Sequence, residues 1–137
     1  MLHRTNLLRF AAKAIFFIIV ISLIWSFVAS SYNHLLIKVS DNLVPSQVIL
    51  SLKDKDNTIE ISYEQQYMGL KRNLSTWIHG HALHFGLILI TALIAATPGL
   101  KLSQRFKFVP AAWLILFAIH VFTILIMARI LQSHGTG

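Results

Sequence analysis

Trp77 to Thr97, WIHGHALHFGLILITALIAAT, is the stretch on which the reading of this chain turns. An α-helix needs about 20 apolar residues to cross a bilayer, and this run supplies them. It also opens with three histidines, His79, His81 and His84, which a plain membrane anchor does not need. Two further apolar runs flank it, Ala14–Tyr32 and Val109–Leu131.

The expected fold is an all-α integral membrane protein: three transmembrane helices, with a small extracytoplasmic β-hairpin segment between the first and the second. Residues 1–13 read as a basic cytoplasmic arm, 14–32 as the first span and 33–76 as the extracytoplasmic segment. Residues 77–97 read as the second span, 98–108 as a basic cytoplasmic loop, 109–131 as the third span and 132–137 as a tail. Composition agrees: 55% of the 137 residues are hydrophobic and 12% charged, against about 25% charged in an average soluble domain. The apolar residues fall in long blocks, which favours spans over a buried core. The chain has no cysteine, which excludes disulfides, thiolate metal sites, Fe–S clusters and a cysteine nucleophile.

Charge placement sets the orientation. Arg4, Arg9 and Lys13 precede the first span, and Lys101, Arg105 and Lys107 follow the second, with no acid in either group. Asp41, Asp54, Asp56, Glu60 and Glu64 all lie in the segment between the first two spans, beside Lys38, Lys53, Lys55, Lys71 and Arg72. Basic residues are retained on the cytoplasmic side. Met1 is therefore expected inside, the 33–76 segment outside and Gly137 outside. The net charge of +7 then points to membrane lipid as a partner. It does not point to nucleic acid, which needs a basic face with aromatics or a known module.

Ser22, Ser26 and Ser30 recur every four residues and offer a helix-packing face of small side chains. Alternatively, each hydroxyl bonds to its own helix backbone. Val28-Ala29-Ser30 also fits a signal-peptide cleavage site, though the apolar run is longer than a signal core. Trp25 and Tyr32 are placed at the outer interface, where amphipathic aromatics settle. Beyond the span, Gln47–Lys53 and Thr58–Glu64 alternate about the polar Asp54–Asn57 and read as a β-hairpin. Leu35–Val39 is a candidate third strand, and Gln65–Thr76 a candidate interfacial helix with Tyr67, Met68 and Leu70 towards the membrane. Asn73-Leu74-Ser75 matches a glycosylation pattern, but Ser75 or Thr76 reads better as the cap of the second helix. Thr97-Pro98-Gly99 ends that helix, and Pro110 suits the first turn of the third.

The histidines carry the chemistry. His81 and His84 share a helix face, and His120 lies mid-span. At about 1.5 Å rise per residue, His84 falls about 10 Å and His120 about 16 Å below the outer boundary. Intramembrane ionisable residues are functional candidates by default. Four roles are open: helix packing by neutral His84 and His120, a metal site of His81, His84 and His120, a bis-histidine haem on His84 and His120, and a proton relay. No carboxylate lies in a span to complete a metal site. The helix-packing role is the one adopted, with no cofactor.

His81-Ala82-Leu83-His84-Phe85-Gly86-Leu87, Ala95-Ala96-Thr97-Pro98-Gly99 with its basic loop, and Phe117-Ala118-Ile119-His120 together resemble the small bacterial membrane proteins associated with exosortases, of the exosortase H-associated type. The resemblance covers residues 77–131. It implies an inner-membrane accessory protein in protein sorting or cell-envelope export, working with other membrane subunits, and it carries over no catalytic residues. Exosortases resemble membrane transpeptidases with a catalytic cysteine, which this chain lacks. No G-x-S-x-G, H-E-x-x-H or paired intramembrane carboxylate occurs, so the expectation is a non-enzymatic protein. The competing expectation is a histidine-based metal or haem carrier.

Overall fold

The computed structural model describes residues 2–55, 57–67 and 70–135. The protein is mostly helical. The order is α1 (Leu2–Asp41), β1 (Val48–Lys53), β2 (Thr58–Tyr67), β3 (Leu70–His79), α2 (Gly80–Ala96) and α3 (Leu102–Gly135). α1 and α3 are long and apolar enough to cross a membrane. α2 is apolar but only 17 residues long, the short end of the range of about 17–25 for a span.

α1 contains neither glycine nor proline, so nothing in its sequence interrupts the backbone ladder. It does not stop at Tyr32. The buried positions Trp25, Ala29, Asn33, Leu36 and Ser40 follow helical spacing and carry it nine residues further. The strand expected at Leu35–Val39 is therefore helix. Its alternating Leu35, Ile37 and Val39 are outvoted by Leu36, which is fully buried against the sheet.

The hairpin of β1 and β2 forms as expected, with Val48 opposite Tyr63 and Lys53 opposite Thr58. Asp54 and Lys55 both take positive φ, 52° and 55°, as primed hairpin turns require; Asp56 lies outside the described residues. The sheet has a third strand where an interfacial helix was expected. β3 pairs antiparallel with β2 from Leu70 to His79. Leu74, Thr76 and Ile78 are more covered than Ser75, Trp77 and His79, a period of two that marks a strand. Met68 of the expected interfacial helix lies outside the described residues.

This strand moves the start of the second helix. Trp77, Ile78 and His79 pair with Glu60, Ile59 and Thr58, so α2 begins at Gly80 and not at Trp77. Ser75 and Thr76 lie in β3 and cap nothing. The N-cap is His79, without a side-chain cap bond. Instead the Gly80 N–H donates to the Asn57 carbonyl, 2.6 Å away. α2 ends as its sequence suggests. The Thr97 N–H and hydroxyl both donate to the Leu93 carbonyl, Pro98 cannot extend the helix, and Gly99 takes φ 82°, which favours glycine.

The basic loop is shorter than 98–108, because α3 starts at Leu102. Lys101 N–H donates to Gln104 Oε1 at 2.9 Å, half of a capping box. Pro110 consequently sits inside α3. Its ring offers no N–H to the carbonyl four residues earlier, that of Phe106, a residue exposed on the outside of the bundle. The helix runs on past Leu131 to Gly135, so only 136–137 of the expected tail lie outside the described residues.

The sheet packs on the helices rather than forming its own core. Val48, Ile59, Ile61 and Tyr63 meet Leu36 of α1, Leu83 of α2 and Val121, Ile124 and Ala128 of α3. Burying each large aliphatic side chain here contributes about 1.5–3 kcal/mol. On the opposite face Glu60 joins all three strands. It takes Lys53 Nζ at 2.8 Å and the Ser51 hydroxyl at 3.2 Å from β1, and Trp77 Nε1 at 3.3 Å from β3.

Candidate functional site

Where α1, α2 and α3 converge below the sheet, both histidines of interest are buried, His84 4% and His120 7% exposed. Both are tied to consecutive residues of α1. His84 Nε2 donates to Asn33 Oδ1 at 2.9 Å, and His120 Nδ1 lies 2.6 Å from the Tyr32 hydroxyl. The extension of α1 past Tyr32 is what makes this possible: it keeps Asn33 in the helix, one residue along from Tyr32.

Aromatic rings close around the pair. Trp25 meets the His84 ring edge-on at 5.5 Å and Trp113 at 5.3 Å. Tyr32 sits 5.9 Å from His84, 6.0 Å from His120 and 5.7 Å from Phe117. Such edge-to-face pairs each contribute about 0.5–1.5 kcal/mol beyond their burial. Trp113 Nε1 donates to Thr91 Oγ1 at 2.8 Å, and that hydroxyl donates to the Leu87 carbonyl at 2.6 Å. Trp25 Nε1 is buried with no hydrogen-bond partner among the described residues.

Trp25 and Tyr32 thus turn inward to the histidines, not outward to an interface. Trp113 shares the helix face of His120 that the sequence indicates, whereas nothing in the sequence singles out Asn33 or Thr91. Trp25, Ala29 and Asn33 repeat every four residues, a stripe that becomes visible only in a helix that continues past Tyr32.

The serine face does not form the helix contact. Ser22 and Ser26 are exposed, while Ala29 and Trp25 occupy the contact with Leu87 of α2. Ser30 is part-covered. The Ser26 hydroxyl donates to the Leu23 carbonyl at 2.7 Å, the backbone alternative. Ser22 and Ser26 line a cavity of about 410 Å³ between α1 and α2, together with His81, His84, Asn57 and Phe85.

His81 is exposed, on the lining of the same cavity as the buried His84. Among the described residues no group of three or more His, Asp or Glu is placed to hold a metal ion. His84 Nε2 and His120 Nδ1 are engaged with α1, which leaves a bridging ligand fewer free nitrogens. The arrangement is suited to cross-tying three helices: imidazoles with hydrogen-bond partners inside the bundle.

No protein-family model, no curated protein and no solved structure matches this chain.

Proposed function

We propose that the protein is a non-enzymatic accessory subunit of a bacterial inner-membrane complex, crossing the membrane three times with its N-terminus cytoplasmic and its C-terminus outside. The observation that carries this reading is the bare apolar surface of α1. Phe16, Ile19, Leu23 and Phe27 are all more than half exposed, Phe27 at 86%. None of the described residues covers them, so lipid or the helices of another subunit must. α3 adds Leu114, Ile115 and Phe122. The polar side chains at the centre of the bundle are turned to one another, as residues within hydrocarbon need. The basic residues around the starts of α1 and α3, against acids that all lie between residues 41 and 64, support the orientation.

The outer sheet, with Trp77 and Ile49 exposed on it, supplies a surface for a partner outside the membrane. The resemblance of residues 77–131 to exosortase-associated proteins supports protein sorting or envelope export as the process.

The test is co-purification from the native membrane in mild detergent, with crosslinkers placed at Phe27 and Trp77. A membrane protein recovered in fixed stoichiometry and crosslinked at either position is the expected result. A lone protein that binds zinc or haem saturably, with binding lost on replacing His84 or His120, replaces this reading with the carrier.

A further inference from the structure

At the end of the bundle remote from the sheet, α1 and the end of α2 enclose a second cavity of about 330 Å³. Its lining divides by chemistry. Asn6, Arg9 and Lys13 form one side, with Phe10 between them; Ala96 and Pro98 form the other. Positions 6, 9, 10 and 13 are spaced to share one face of α1. Every acid in the chain lies between residues 41 and 64, at the opposite end, so Arg9 and Lys13 have no acidic partner among the described residues. A third cation stands close by. Arg105 Nη2 donates to the Thr97 carbonyl at 3.1 Å, next to Pro98, and its Nε is buried with no hydrogen-bond partner among the described residues.

We propose that this cavity binds the phosphate of an anionic phospholipid. The guanidinium of Arg9 offers a planar fork of donors matched to phosphate oxygens, and Lys13 adds a point charge. Asn6 adds an amide donor for an ester oxygen. Phe10, Ala96 and Pro98 give the glycerol and first methylenes an apolar wall. A free anion would leave that wall unused, which commits the site to a lipid. Basic pockets between helices at a membrane surface recognise headgroups in this way. The inference rests on the membrane-crossing reading above.

The test uses the full-length protein in phosphatidylcholine nanodiscs containing phosphatidylglycerol, with bound lipid counted by native mass spectrometry. The expected result is saturable retention of phosphatidylglycerol that weakens at least about tenfold in Arg9→Gln/Lys13→Gln. Lys101→Gln/Lys107→Gln removes the same charge from the same end and is expected to retain the lipid like the parent. Equal loss in both double variants means diffuse attraction and overturns the site. Displacement of the lipid by millimolar inorganic phosphate overturns the lipid assignment. Lys13→Arg keeps the charge and leaves the Arg9 fork in place, and is expected to retain the lipid like the parent; failure to do so overturns recognition by these cations. Resistance to alkaline carbonate extraction, measured on the cell membranes from which each sample is purified, separates the outcomes. A protein that is extracted fails the membrane reading itself, whereas one that stays but holds no phosphatidylglycerol fails only this proposal.

Discussion

The Tyr32 hydroxyl and His120 Nδ1, 88 positions apart in sequence, lie 2.6 Å from each other and tie the first helix to the last. Tyr32→Phe is expected to loosen this tie by about 0.6 kcal/mol, the average for such bonds between membrane helices. His120→Phe should cost a similar amount, and the double variant little more than either alone. A double-mutant cycle read by denaturant unfolding in detergent measures the coupling. Fully additive effects would show that the two groups do not interact.

Gly80 and Gly86 lie on the same helix and should respond oppositely to a methyl group. A Cβ on Gly80 would stand 2.5 Å from the Asn57 carbonyl oxygen and 3.2 Å from both Asn33 Nδ2 and His84 Cε1. A Cβ on Gly86 meets nothing within 4 Å. Gly80→Ala is expected to destabilise by about 1–3 kcal/mol, and Gly86→Ala to stabilise by about 0.5–1 kcal/mol. Thermal melts of the two variants check this. Stabilisation by Gly80→Ala would mean that the turn at Asn57 is free to move.

The sheet should not fold alone. Its inner face finds its partners in Leu36, Leu83, Val121 and Ile124, none of which is in the sheet. A peptide of residues 42–79 is expected to unfold without a cooperative transition by circular dichroism. A sharp two-state melt would show an independent domain.

Acid should weaken the tie on the sheet's outer face. The bond from Lys53 holds the Glu60 carboxyl below its ordinary range, helped by Ser51 and Trp77. A carboxylate depressed in this way contributes its full stability above its unfolded value, about 4.3. That contribution is lost as pH falls through the lower, folded value. Hydrogen-exchange protection of residues 48–53 should therefore exceed that of Glu60→Gln at pH 7, and the difference should shrink below pH 4. A constant difference would leave the carboxylate's charge without a role.

Much of the architecture could be read from residues. Period-two alternation found the β1–β2 hairpin, apolar length found three helices, and Pro98-Gly99 found the end of α2. What was misread lies where two periods overlap. Leu35–Val39 alternates like a strand, yet belongs to a helix because Leu36 and Ser40 continue the stripe from Trp25. Leu74–Ile78 alternates too, but it straddles Gln65–Thr76, which reads as an interfacial helix, and the apolar run from Trp77, which reads as a span. In both places the choice is made by contacts distant in sequence: Leu36 with the sheet, and β3 with Ile59 and Ile61. The histidines stood out because ionisable residues are rare in apolar runs. Their partners did not, since Tyr32 and Asn33 look ordinary until α1 is known to continue.

At about 1.5 Å per residue, the 40 residues of α1 extend about 60 Å, twice the hydrocarbon thickness of about 30 Å. One rod thus carries the phosphate-seeking end at Arg9 and the platform on which the sheet rests at Leu36. With no glycine or proline as a hinge, the two ends do not move independently. A partner that pushes the sheet sideways levers the rod about its middle and swings Arg9 the opposite way. In the proposed orientation, docking outside the membrane is felt at the inner surface as a tilt.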